Sequence, residues 1–283
     1  MPFPSLKTPL LTGLTLIAFA GNSLLTRMAL GADSIDAASF MTLRLGSGAV
    51  MLLAITALSP GKPTKAIQGQ WTAALMLFLY AVTFSFSYLQ LSAGTGALIL
   101  FGSVQVTMIL VALKQGEKPK RLEWVGLLLA LTGLAYLVSP GLAAPPVVGS
   151  GLMAIAGIAW GVYSLLGRGA KDPVANTTAN FVKAVPLALG VSLVSLPSLH
   201  VSLPGVVLAL LSGALASGVG YALWYAALRG LTATRAATVQ LSVPVLASVG
   251  GILFLQEALS LRLGLAALMI LGGIGIAMAG HQD

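Results

Sequence analysis

The chain has 283 residues, of which 57% are hydrophobic and only 8% charged. Globular proteins carry about 25% charged residues, so there is too little polar surface here to coat a soluble domain, and the absence of cysteine excludes disulfides, thiolate metal sites and thiol chemistry. A net charge of +8 would admit nucleic acid as a partner, but the basic residues sit between apolar runs, where membrane proteins place them.

Ten apolar runs approach the roughly 20 residues that a helix needs to cross a hydrocarbon core. In chain order they fall near 10–30, 37–58, 71–91, 95–113, 122–139, 147–168, 176–197, 204–228, 233–255 and 261–279. The spacers carry turn punctuation: Ser59-Pro60-Gly61-Lys62-Pro63, Gly116 to Arg121, Pro140-Gly141 to Pro145-Pro146, and Lys171-Asp172-Pro173. No soluble domain fits between them. The expected fold class is an all-α membrane protein of ten transmembrane helices.

The first run opens like a signal peptide, with Lys7, an apolar stretch from Leu10 and Ala18-Phe19-Ala20. It is expected to be retained, because the residues beyond it recur inside the sixth run. Ser23-Leu24-Leu25-Thr26-Arg27 returns 141 residues later as Ser164-Leu165-Leu166-Gly167-Arg168, and Gly21 and Gly161 precede the two copies. Further pairs follow: Arg44 with Lys183, Phe84 and Tyr88 with Tyr221 and Tyr225, and Gln105 with Gln240. Two related units are therefore expected, residues 1–140 with helices 1–5 and residues 147–283 with helices 6–10. Five helices per unit is an odd number, so the second unit enters the membrane from the opposite side. The expectation is a pair of inverted repeats.

With the N-terminus inside, twelve of the 15 basic residues fall on the cytoplasmic side. Only Arg27, Arg44 and Arg262 fall toward the outside. Both termini are then cytoplasmic, in a cell (inner) membrane.

Four basic residues lie within or at the ends of helices. Arg27 and Arg168 stand at helix ends, where snorkelling to the headgroups explains them as well as a gating role does. Arg44 and Lys183 lie about seven residues in, roughly 10 Å deep. Each faces protein or a wet cavity, either in structural pairing or holding a gate or an anionic group near one mouth. All seven acidic residues fall in loops or at helix ends, and His200 and His281 are peripheral. A proton or sodium site built on a buried carboxylate is therefore not expected, nor is strong dependence on a proton gradient.

The aromatic residues form stripes. Tyr80, Phe84 and Tyr88 step by four along the third helix, Trp160 and Tyr163 share a face of the sixth, and Tyr221, Trp224 and Tyr225 share a face of the eighth. Packing or an interfacial belt is the plain reading of such stripes. The functional reading is an amphipathic pocket for an organic solute, because hydroxyl and amide groups accompany them: Asn22, Ser23, Gln90, Ser103, Gln105, Ser217, Thr238 and Gln240. Pro186 and Pro244 interrupt the seventh and ninth helices, as hinges or static kinks. Gly157-x-x-x-Gly161 and Gly213-x-x-x-Ser217 permit close helix approach. There is no His-Glu-x-x-His, no P-loop, no pair of intramembrane aspartates and no embedded Ser/His pair. An enzyme is not expected, and neither a metal nor a cofactor.

These features together resemble the drug/metabolite transporter superfamily, of the ten-helix EamA-repeat type. The resemblance rests on Ala20-Gly21-Asn22 and Trp160-Gly161 in the opening helices, on Arg44 and Lys183 early in the next, and on Tyr225-Ala226-Ala227-Leu228 before the fourth helix of the second repeat. Gly116-Glu117 precedes a glycine-bearing fifth helix with Gly126 and Gly133. The second half departs with Gln256-Glu257, and the proline present as Pro244 has no counterpart near Met108. Within the superfamily the chain looks most similar to amino-acid exporters, including those for aromatic amino acids. The resemblance implies alternating access through a central cavity lined by helices 1, 3, 4, 6, 8 and 9. Trp160, Tyr163, Tyr80, Phe84, Tyr88, Tyr221 and Trp224 would form its apolar wall. Asn22, Gln105 and Gln240 would bond the polar end of the solute, with Arg27, Arg44, Arg168 and Lys183 in gating or charge roles. The expected partners are a small-molecule solute and the bilayer. An exporter of drugs or other metabolites, phosphorylated sugars among them, and a non-transporting membrane subunit remain the alternatives.

Overall fold

The computed structural model describes residues 7–58, 70–114, 120–141, 144–167, 170–231 and 239–280. Among them lie only helices and turns. The helices are α1 (Lys7–Gly31), α2 (Ala37–Leu58), α3 (Trp71–Ser87), α4 (Ala93–Lys114), α5 (Arg121–Val138), α6 (Val147–Gly167), α7 (Pro173–Val194), α8 (Leu203–Leu228), α9 (Ser242–Leu255) and α10 (Leu261–Gly280). Seven are long and apolar enough to cross a membrane, and α3, α9 and α10 are shorter apolar helices.

The helix starts follow local chemistry. Asp36 accepts from Ser39 N at 2.9 Å, Asp172 from Ala175 N at 3.0 Å, Ser202 from Gly205 N at 3.3 Å and Ser260 from Leu263 N at 3.1 Å. Each side chain satisfies one of the amides that a helix start leaves free. The Asp172 cap, followed by Pro173, starts α7 three residues before the expected 176, and a 3-10 turn over Leu196–Ser198 follows its end. The third span likewise stops at Ser87 rather than 91, because the chain turns at Tyr88–Gln90. Pro186 lies inside α7, whereas Pro244 falls in the first turn of α9. Arg168, Arg235, Thr238 and His281, singled out in the sequence, lie outside the described residues.

Small residues face inward and large aliphatic ones outward. Ala29, Ala74, Ala81, Ala156, Ala184, Ala247 and Ala266 are fully buried, while Leu128, Leu253, Phe254 and Leu268 are exposed. Exposed leucines on helices this apolar are what a lipid-facing surface requires. The small inner faces let helices cross closely. At the α5–α10 crossing, a Cβ on Gly126 would collide with the Gly273 carbonyl oxygen, and one on Gly273 would stand 2.6 Å from Gly126 O.

The principal contacts join the two halves: α5 with α10, α2 with α7, α4 with α9, α3 and α4 with α6, α1 with α8 and α9, α2 with α8, and α3 with α7. Exchanging α1–α5 with α6–α10 returns the same set. At one end of the bundle the turns interlock. Ile35 and Val201 form an antiparallel bridge, and Ser202 N donates to Ser34 O at 2.9 Å. Ser87 Oγ donates to Gly149 O at 2.8 Å, which ties the end of α3 to the start of α6. Arg262 at the start of α10 donates to the Tyr136 carbonyl near the end of α5 at 3.0 Å.

The middle of α8, Ser212–Val219, is π-helical, with the Gly220 amide reaching back to Leu215 O. This widened stretch packs on α1 and α2. Gly213 within it abuts the Arg44 carbonyl so closely that no Cβ would fit.

Candidate functional site

A narrow cavity of about 30 Å³ lies among α1, α3, α4, α6 and α8, its walls drawn together in this conformation. Its wall is aromatic. Tyr80 packs on Trp160 with ring centroids 4.9 Å apart, and Trp160 on Tyr221 at 5.3 Å. Phe84 stands beside Tyr80 at 5.2 Å, and Phe19 beside Tyr221 at 5.9 Å. Leu100 and Phe101 of α4 complete the apolar lining. Three of the sequence stripes meet here because helical spacing puts Tyr80 and Phe84 on one face of α3 while Trp160 and Tyr221 project from neighbouring helices.

The polar groups are few. Asn22, Ser23, Tyr80 and Ser217 bring them to the lining. Asn22 Nδ2 donates to Tyr80 Oη at 3.4 Å, and its Oδ1 accepts from Ser212 Oγ of the π-helical segment. Ser217 Oγ is buried without a hydrogen-bond partner. Among the described residues, no carboxylate lines the cavity. Arg44 of α2 lies against the wall from behind. Its Nη2 donates to Tyr80 Oη at 2.9 Å, and its Cζ stands 4.7 Å from the Phe84 ring centre and 5.2 Å from that of Tyr80.

One helical turn from Ser23 and Phe84, toward the interlocked end, stands a polar cluster. Arg27 Nε lies 3.5 Å from Glu257 Oε1, and Arg27 Nη1 donates to the Tyr88 carbonyl at 3.0 Å. Both Glu257 oxygens accept from Ala93 N at 2.9 Å. Ala93 opens α4, so the carboxylate sits on a helix N-terminus, where negative charge is favoured. The cluster ties α1 to the α3–α4 turn and to the α9–α10 turn.

Of the sequence candidates, Asn22, Tyr80, Phe84, Trp160 and Tyr221 are thus gathered on one cavity. The others are placed elsewhere. Tyr88 is fully buried at that polar cluster, its hydroxyl on the Ala93 carbonyl at 3.3 Å. Tyr163 packs behind Trp160 at 5.4 Å, and Trp224 behind Phe19 at 6.0 Å. Gln105 lies one turn along α4 from Phe101, and Gln240 precedes α9; neither lines the cavity. Lys183 reaches over the Trp71 ring at 5.4 Å rather than toward the solute space. Arg168 lies outside the described residues. Phe19, Leu100 and Phe101 were not legible as wall residues. Phe19 shares a face with Asn22, three residues on, but was read only as part of a signal-like tripeptide.

Comparison with known proteins gives the family. The sequence model of the EamA-like transporter family matches residues 147–279. An uncharacterized protein of Pseudomonas aeruginosa is 51% identical over 276 residues, covering 98% of this chain and 96% of that protein. An uncharacterized transporter of Archaeoglobus fulgidus is 26% identical over 96% of this chain and 98% of its own length. A solved crystal structure matches with a TM-score of 0.67 at 20% identity, covering 94% of this chain and 95% of the other, a likeness of fold alone. The apolar helices, the cavity between them and these relatives converge: the chain belongs to the EamA-like transporter family and is a multi-pass membrane transporter.

Proposed function

We propose that this transporter exports amino acids, aromatic ones among them, by alternating access through the cavity of Tyr80, Phe84, Trp160 and Tyr221. The observation that carries the reading is that one aromatic-walled cavity takes its lining from both halves of the chain. A solute held there is gripped by two units that can rock against each other. Ring faces supply apolar contact to a planar side chain, and Asn22, Tyr80 and Ser217 supply hydrogen bonds to its polar end. Residues 1–140 and 147–283 form the two units, and they are inverted repeats. The meeting of the α3 end with the α6 start supports this, as does the exchange symmetry of the helix contacts. Both termini face the cytoplasm in the cell membrane, which follows from the lysine and arginine bias. The interlocked end then faces outward, and Arg27 with Glu257 closes the cavity on that side.

The test is exchange of labelled phenylalanine, tryptophan and aliphatic amino acids across liposomes containing the purified protein. Exchange is expected, and Trp160→Ala should slow it roughly tenfold, since it removes a ring packed on three others. If no amino acid moves, the substrate assignment is wrong; if Trp160→Ala exchanges like the parent, the cavity is not the path.

A further inference from the structure

We infer that the group recognised in this cavity is a single carboxylate, received by Tyr80 with the charge of Arg44 behind it, and that the solute's ammonium is not read. The inference rests on the cavity being the solute site.

Arg44 is 3% exposed and its Nη1 has no hydrogen-bond partner. No carboxylate lies within ion-pair distance of it among the described residues. Its compensation is one neutral hydrogen bond, to Tyr80, and the faces of Phe84 and Tyr80. Cation–π contact offsets part of the desolvation of a guanidinium, but a buried charge without a counter-ion is a costly arrangement in a membrane protein. The other two described cations near the helix bundle core differ. Arg27 has Glu257, and Lys183 stands over Trp71. One uncompensated positive charge therefore sits against the cavity, which suits a monoanion rather than a dianionic phosphate.

Tyr80 transmits it. Its hydroxyl oxygen already accepts from Arg44 Nη2 and from Asn22 Nδ2, so both lone pairs are engaged. Its own proton has no acceptor among the described residues, and the residue lines the cavity. A phenol that accepts from a guanidinium is a strengthened donor, and its fitting partner is an anionic oxygen. Ser217 Oγ, buried and unpartnered on the same cavity, offers a second donor. Among the described residues of the lining, none carries negative charge to meet an ammonium. An aryl carboxylate lacking the amine should bind as well as the amino acid.

The test is ligand-dependent thermal unfolding of the purified full chain, titrated with four probes of one shape: 3-phenylpropionate, phenylalanine, 3-phenylpropanamide and phenethylamine. The two carboxylates should bind with similar Kd, and the amide and amine roughly tenfold more weakly or worse. Arg44→Gln should erase the difference between acid and amide, and Tyr80→Phe should narrow it. An Arg44 that merely staples α2 to α3 would lower the unfolding temperature on substitution while leaving the acid-to-amide ratio unchanged, which overturns the inference. If Arg44→Gln is not recovered folded, the Tyr80→Phe ratio decides in the same way. Amide or amine binding that equals carboxylate binding overturns the inference and leaves the cavity reading intact. Failure of all four probes to bind overturns both.

Discussion

Replacing Glu257 by glutamine tests the contact proposed to close the cavity. Glu257 meets Arg27 at 3.5 Å and takes the first amide of α4 on both oxygens at 2.9 Å. Both side chains are less than one third exposed, at 27% and 15%, so the pair is neither fully screened nor fully buried. Glutamine keeps an acceptor for Ala93 N but removes the charge. Arg27 loses its counter-ion and the α4 N-terminus loses its anion. Partly buried losses of this kind amount to about 1–3 kcal/mol, a 5–150-fold change in a two-state ratio. Under the proposed alternating access, the loss falls on the arrangement in which Arg27 and Glu257 meet, and an arrangement that separates them would leave the carboxylate to water. The chain has no native cysteine, so Ser217→Cys puts a single thiol on the cavity wall. Labelling by a membrane-impermeant maleimide from the outer side should accelerate at least about fivefold when Glu257→Gln is added. An unchanged labelling rate in a folded double variant would refute the idea that this contact holds the cavity shut.

Other outcomes follow from packing. Gly273→Val should weaken the α5–α10 crossing, since even a Cβ would stand 2.6 Å from both Ala130 N and Gly126 O; overpacking of this kind costs about 1–3 kcal/mol, read as a lower unfolding temperature in detergent. An unchanged temperature would mean that the two helices separate freely. Asp36→Ala should cost about 1–2 kcal/mol, because Ser39 N loses its acceptor at 2.9 Å at the start of α2. Asp36→Asn, which keeps a capping oxygen, should recover most of that loss.

The transmembrane segments were legible because lipid imposes a length on every helix, and that length shows directly in hydropathy. Helix ends were less legible where capping, not hydropathy, sets them, as Asp172 does for α7. Aromatic spacing put Tyr80 with Phe84, and the repeat pointed to Tyr221. The same stripes overreached at Tyr163 and Trp224, because one face of a helix is wide enough to hold a lining ring and a ring packed behind it. Gln105 stands one turn along α4 from Phe101, which with Leu100 is what α4 brings to the lining. The pairing of Arg27 with Glu257 joins opposite ends of the chain, and no local pattern announces such a contact. The Gly157-x-x-x-Gly161 spacing pointed to close helix approach, and both glycines lie against α4, where Gly157 faces the Leu100 carbonyl at 2.6 Å from its would-be Cβ.

The π-helical stretch Ser212–Val219 acts as a phase shifter. A wider turn accommodates about one residue more than an α-helix over the same rise, so everything beyond it is rotated by about 100°. Tyr221 comes immediately after that offset, and its ring reaches the cavity on the strength of it. The aromatic wall is thus aimed by backbone hydrogen bonds several residues upstream rather than by the tyrosine's own surroundings. Removing one residue between Ser212 and Val219 would restore regular winding and leave Tyr221 facing Trp160, whereas rewinding the full-length stretch as regular α-helix would swing Tyr221 away by about 100°.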